Sequence, residues 1–203
     1  AKSSDLNTDS SEDSSSGGES SSNNYFDNTY DVSDMLPGNI RYLEYGSRVT
    51  IADDVYIEPV WPLPGHESVS IDDANEHNMV YMVNYHGVKI MVTGDLLEED
   101  ELEMIEYYRH TSEGLDAIKC NILKVGHHGS KTSSSEAFLD AVSPEIAVIS
   151  VGKNNLYGHP HQQTLERLEE RGIRVYRTDI NGAVGIDIHG TRLSVDLFSK
   201  NAF

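Results

Sequence analysis

Leu123-Lys124-Val125-Gly126-His127-His128-Gly129-Ser130-Lys131-Thr132 is an apolar run that breaks into two adjacent imidazoles, small residues and hydroxyls. A buried strand leaves a sheet in this way and hands its next side chains to a site. Working outward, residues 146–151 form a second strand-like run, followed by Asn155-Leu156-Tyr157-Gly158-His159-Pro160-His161. An earlier run is closed by Thr93-Gly94-Asp95. Three apolar runs, each ending in a residue able to hold a metal ion, predict a hydrolytic metal site.

The rest of the pattern supplies a scaffold. Residues 48–51, 55–61, 78–85 and 87–93 read as short strands, with His86-Gly87 as a tight turn between the last two. Residues 96–108 change period, placing Leu97, Met104, Ile105 and Tyr108 on one helical face. Strand and helix then alternate. Residues 118–125 predict a strand, 133–142 a helix opened by a Ser133-x-x-Glu136 capping box, and 146–151 a strand. Residues 161–171 predict a helix with Leu165 and Leu168 inward, and 173–176, 183–188 and 192–197 predict closing strands. Strands, then strand–helix alternation, then strands again define a layered α/β domain without internal repeats.

Composition bounds this domain. The chain has 203 residues, enough for one core. Its first 35 residues are rich in Ser, Asn, Asp and Gly and cannot bury enough surface to offset their ordering, so they are expected to be disordered or a flexible insertion. The domain is then residues 36–203. The first residue is alanine, which suggests a processed or excised piece. Net charge is −19, but the acidity is uneven. Residues 1–118 hold 25 acids and 5 bases, whereas residues 119–180, which carry the histidine motifs, hold 7 acids and 8 bases. Overall acidity counts against tight, metal-free binding of nucleic acid. Cys120 is the single cysteine, which excludes an intrachain disulfide framework and a thiolate zinc cluster. No apolar run approaches the eighteen or so residues of a membrane span. The Ser-rich composition fits an extracellular or cell-surface setting.

Each candidate has a bland reading beside the chemical one. Asp95 suits the N-cap of the following helix, through the Asp95-x-x-Glu98 spacing, and equally a carboxylate that bridges cations. His127 and His128 would point to opposite sides of an ideal strand, but Gly126 and Gly129 permit a bend that turns both to one site. Ser130, Lys131 and Thr132 beyond them make an anion cradle. This is no P-loop, because Ser130 precedes Lys131 and no earlier glycine falls at the required spacing. Pro160 suits the first position of a helix, which leaves His159 at its cap and His161 facing solvent. Imidazoles with a carboxylate suit zinc or manganese. His66, His77, His86, His110 and His189 are read as structural or surface residues, although His66, at the end of a strand-like run, is placed where one further ligand could come from.

Residues 122–182 carry longer words, among them Leu123 to Ser133, Ile149-Ser150-Val151-Gly152-Lys153-Asn154-Asn155, Tyr157-Gly158-His159-Pro160-His161 and Val175-Tyr176-Arg177-Thr178-Asp179. With Thr93-Gly94-Asp95 they resemble the metallo-β-lactamase-fold domain of the ComEC/Rec2 family of competence proteins, which take up DNA. The resemblance covers roughly residues 48–197. It implies a metallo-β-lactamase-like αββα sandwich with two divalent ions, zinc or manganese, along one edge, and hydrolysis of a phosphodiester, with DNA the candidate substrate. It also implies Asp95 as a bridging carboxylate, His127 and His159 as metal ligands, and His128, Ser130 and Lys131 at the phosphate, with His128 in the catalytic role. Which of His127 and His128 is the ligand stays open.

The superfamily's first metal motif, His-x-His-x-Asp-His, is absent from the sequence. The expectation is therefore a C-terminal half of the domain, whose N-terminal half is supplied by residues or a chain outside this one and which is inactive alone. Alternatives are a degenerate, non-catalytic domain, or a hydrolase of another ester such as a phosphocholine ester or a lactone.

Overall fold

The computed structural model describes residues 45–66 and 78–198; the segment 1–35 and His77 lie outside the described residues. β1 (Val49–Ala52), β2 (Val55–Trp61), β3 (Val80–Tyr85) and β4 (Val88–Val92) form an antiparallel meander. His86 and Gly87, at φ of 49° and 83°, make the two-residue turn between β3 and β4, as the sequence predicts. From β4 onward the sheet becomes parallel, adding β5 (Ile122–Lys124), β6 (Ile146–Ile149) and β7 (Arg174–Arg177) in order. The parallel steps are bridged by α1 (Glu98–Arg109), α2 (Glu136–Val142) and α3 (Gln162–Glu170). Each step moves the same way across the sheet, so right-handed crossovers must put all three helices on one face.

Period-two alternation divides the core. Met82, Met91, Leu123 and Ile149 meet Met104, Phe138 and Leu168 on the helical face. Their neighbours Val88, Ile122 and Ile146 point the other way, against Ile186, Ile188, Leu193 and Val195. Those residues belong to a hairpin of β8 (Ala183–His189) and β9 (Arg192–Phe198), which follows the short α4 (Thr178–Asn181). A helix layer, a seven-stranded sheet and a two-stranded sheet thus follow one another. This is the expected α/β layering; a fourth, outer helical layer is not seen among the described residues. No helix among them is long and apolar enough to cross a membrane.

Three element boundaries differ from expectation for physical reasons. The strand expected over 118–125 is only Ile122–Lys124, because Gly114–Ala117 forms a 3-10 turn that runs into Ile118. Asp95 does not cap α1: the helix begins at Glu98, its N-cap position is Leu97, and Glu98 N donates to Thr132 O instead. The capping box on Ser133 is displaced as well. Ser133 Oγ donates to Gly126 O, and Ser135 is the N-cap of α2, its Oγ accepting from Phe138 N at 3.2 Å.

Cys120 lies inside the main core, where burial pushes its thiol up to about 12. It should stay unreactive toward a thiol reagent in the native protein and be labelled only on unfolding, which a timed labelling assay reads directly.

Candidate metal centre

The carboxyl ends of β4, β5 and β6 lie side by side, and each continues into a loop that bears one of the predicted residues. In an open sheet this edge is where ligands bind. Behind β4, Gly94 takes a φ of +55°, and a Cβ there would lie 2.0 Å from Asn78 Oδ1. That room lets the Asn78 side chain grip the turn, donating to Thr93 O and accepting from Asp95 N. Asp95 is so fixed as a half-buried carboxylate rather than a helix cap.

Behind β5, the bend is made by the histidines themselves. His127 and His128 both occupy the left-handed region, at φ of 46° and 55°, while Gly126 has ordinary backbone. Such angles are unfavourable for side chains that are not glycine, and they gather at functional sites. Two features hold them in place. His127 N donates to Gly94 O, and His128 Nδ1 donates to Ser150 O at 2.6 Å. A carbonyl can only accept, so Nδ1 carries a proton, and in the neutral tautomer this fixes, Nε2 is the nitrogen with the lone pair. That Nε2 lies 3.9 Å from Asp95 Oδ1. A carboxylate oxygen and an imidazole nitrogen at that distance are placed to share a cation between them.

The loop after β6 supplies His159. Asn155 staples it, its Nδ2 donating to Gly152 O and His159 O and its Oδ1 accepting from His159 N. The His159 ring lies 5.6 Å from that of His127 and 4.8 Å from that of His161. Burial, then the imidazoles of His161, His127 and His128, hold the His159 pKa below the ordinary histidine value, against an opposite pull from Asp95. Both effects favour the neutral ring, which has a lone pair to give. His127 Nδ1 is buried without a hydrogen-bond partner among the described residues.

These donors suit a divalent ion in kind. By number they are two pairs, Asp95 with His128 and His127 with His159. Among the described residues no three His, Cys, Asp or Glu side chains are grouped closely enough to enclose an ion. The set fits as part of a coordination sphere that further donors complete.

Ser130 and Lys131 part company. Ser130 is buried, and its hydroxyl is shared with Thr132 Oγ1 at 2.9 Å, so it shapes the loop rather than facing a ligand. Lys131 is exposed. His161, read from sequence as solvent-facing, is half-buried: it is the N-cap position of α3, its N donates to Gly129 O, and its Nδ1 accepts from Lys131 N. The signal was the His159-Pro160-His161 spacing, since alternate residues of an extended backbone share a side. His66 packs on Trp61 at 4.3 Å and lies 3.4 Å from Glu103.

A further residue, Glu101, organises the loop. Its buried carboxylate accepts from Ser134 N at 2.5 Å and Ser135 N at 2.8 Å. From the other side Arg167 donates to the carbonyls of Lys131, Ser133 and Ser134, and Thr164 Oγ1 donates to Ser130 O. Desolvation raises the Glu101 pKa to about 7, against the lowering effect of these donors.

The family model described as metallo-beta-lactamase superfamily matches residues 35–153. Among curated proteins, ComE operon protein 3 of Bacillus subtilis is 43% identical over 110 residues, 54% of this chain and 13% of that protein. Competence protein ComA of Neisseria gonorrhoeae is 41% identical over 118 residues, 58% of this chain and 16% of that protein. Recombination protein 2 of Haemophilus influenzae is 34% identical over 133 residues, 66% of this chain and 16% of that protein. The chain therefore spans about a seventh of the length of the curated relatives it matches.

Proposed function

We propose that this chain, which belongs to the metallo-beta-lactamase superfamily, forms part of a metal-dependent phosphodiesterase centre, with DNA as the favoured substrate and zinc or manganese as the ion. The observation that carries the reading is the Asp95–His128 pair, a carboxylate oxygen and an imidazole nitrogen held 3.9 Å apart by contacts to Asn78 and Ser150. His127 and His159 would hold a second ion. A divalent ion at this edge supplies Lewis-acid polarisation of a phosphoryl oxygen and an acidified water. The protein's own share is orientation: the Asn78 grip aims Asp95, Ser150 O fixes the His128 tautomer, and Lys131 offers a cation to phosphate. The names of the relatives, which refer to competence and recombination, support DNA as the polymer.

The test uses the full-length protein. Asp95→Ala should cut phosphodiester hydrolysis by at least about a hundredfold and lower the metal content measured by mass spectrometry. Retained turnover in that variant would count decisively against the site. A non-catalytic domain is the second reading, favoured by the lack of any three-donor group among the described residues. It requires the wild-type protein to purify without stoichiometric transition metal.

A further inference from the structure

The Gly152–Gly158 loop exposes apolar surface that packing does not explain. Leu156 is 97% and Tyr157 79% exposed. The loop is nevertheless well fixed, because the Asn155 amide ties Gly152 O to both the N–H and the carbonyl of His159. The Tyr157 ring stacks on His159, centroids 5.8 Å apart and 27° between planes, so it extends the candidate centre outward. Charge points to the same neighbourhood. Lys89, Lys119 and Lys124 are committed to Asp116 O, the Asp116 carboxylate and Gly94 O. Lys131 and Lys153 have no acidic partner among the described residues, and they lie on the two loops that carry the histidines.

We propose that Tyr157 and Leu156 form a stacking arm for an unpaired base, so that the centre takes single-stranded nucleic acid. Lys153 and Lys131 follow the phosphates on either side of the scissile bond. A rigid aromatic beside uncommitted cations is how single strands are gripped without sequence preference. In a duplex both faces of each base are already covered by neighbours, so the arm has nothing to stack on. The proposal rests on the phosphodiesterase reading for its placement, and it names the strand state that reading leaves open.

The experiment measures binding by fluorescence anisotropy in the full-length protein at low ionic strength, with EDTA present so that cleavage does not intervene. The probes are a labelled oligothymidylate and an abasic oligonucleotide of equal length. Wild type is expected to bind the thymidylate about tenfold more tightly than the abasic strand. Tyr157→Ala should bring that ratio toward one, and Tyr157→Trp should keep it. Equal affinity of wild type for both probes, no binding to either, or a ratio that survives Tyr157→Ala would overturn the proposal. So would Tyr157-dependent binding to phosphatidylglycerol vesicles without any preference between oligonucleotides, which would mark a membrane contact. A Tyr157-dependent base preference in a protein that hydrolyses neither probe once metal is restored would uphold the arm and remove the hydrolase reading.

Discussion

Gly129→Ala is expected to destabilise the protein by about 2–5 kcal/mol, lowering the thermal midpoint by roughly 10 °C. Gly129 has a φ of +84°, and a Cβ there would lie 2.5 Å from Pro160 Cβ and 3.1 Å from Pro160 Cα. The second of these atoms is backbone and cannot rotate aside. Relief requires the loop after β5 to part from the loop after β6, which separates His127 and His128 from His159. Gly158→Ala is the control, since Gly158 has a φ of +72° with nothing within 4 Å of its Cβ position. It should cost only the left-handed strain, about 1–2 kcal/mol. Equal losses in the two variants, read by denaturant melts, would show that the close approach to Pro160 carries no energy.

Glu101→Ala is the second large effect, expected at about 3–5 kcal/mol. Truncation strands two buried amides, those of Ser134 and Ser135, and leaves a cavity beneath the loop. Glu101→Gln keeps the volume and one acceptor, so it should cost less and expose a pH signature. The Glu101 pKa is raised by burial from 4.5 to about 7. The native state therefore binds this proton more tightly than the unfolded chain does. Stability from this group is highest below pH 4.5, declines as pH rises toward 7 and is level above it. Glu98, on the same helix, adds to the rise, while the facing groups from the loop are the Ser134 and Ser135 amides. Glu101→Gln should flatten that stretch of the stability profile, and an unchanged slope would assign the titration elsewhere.

Much of this architecture is written in local pattern. The alternation of Ile122 with Leu123 and of Ile146 with Ala147 separates the two faces of the sheet, and the His86-Gly87 turn sets the β3–β4 register. The breaks after β4, β5 and β6 placed Asp95, His127, His128 and His159 at one edge, because parallel strands of a sheet end together. Side-chain commitments set by distant segments were not legible. Ser130 is turned inward by its own loop, and the Ser133 capping box is pre-empted by Gly126 O. Glu101 was within reach of pattern reasoning, since it shares the apolar face of Leu97, Met104, Ile105 and Tyr108. A carboxylate on such a face must be bonded to something.

Arg167, Thr164, His161 and Glu98 all hold the stretch from Gly129 to Ser134 through its peptide groups. The chain path is thereby made indifferent to what is mounted at the exposed Lys131. Such a chassis lets the outward decoration drift while the donors beneath keep their places.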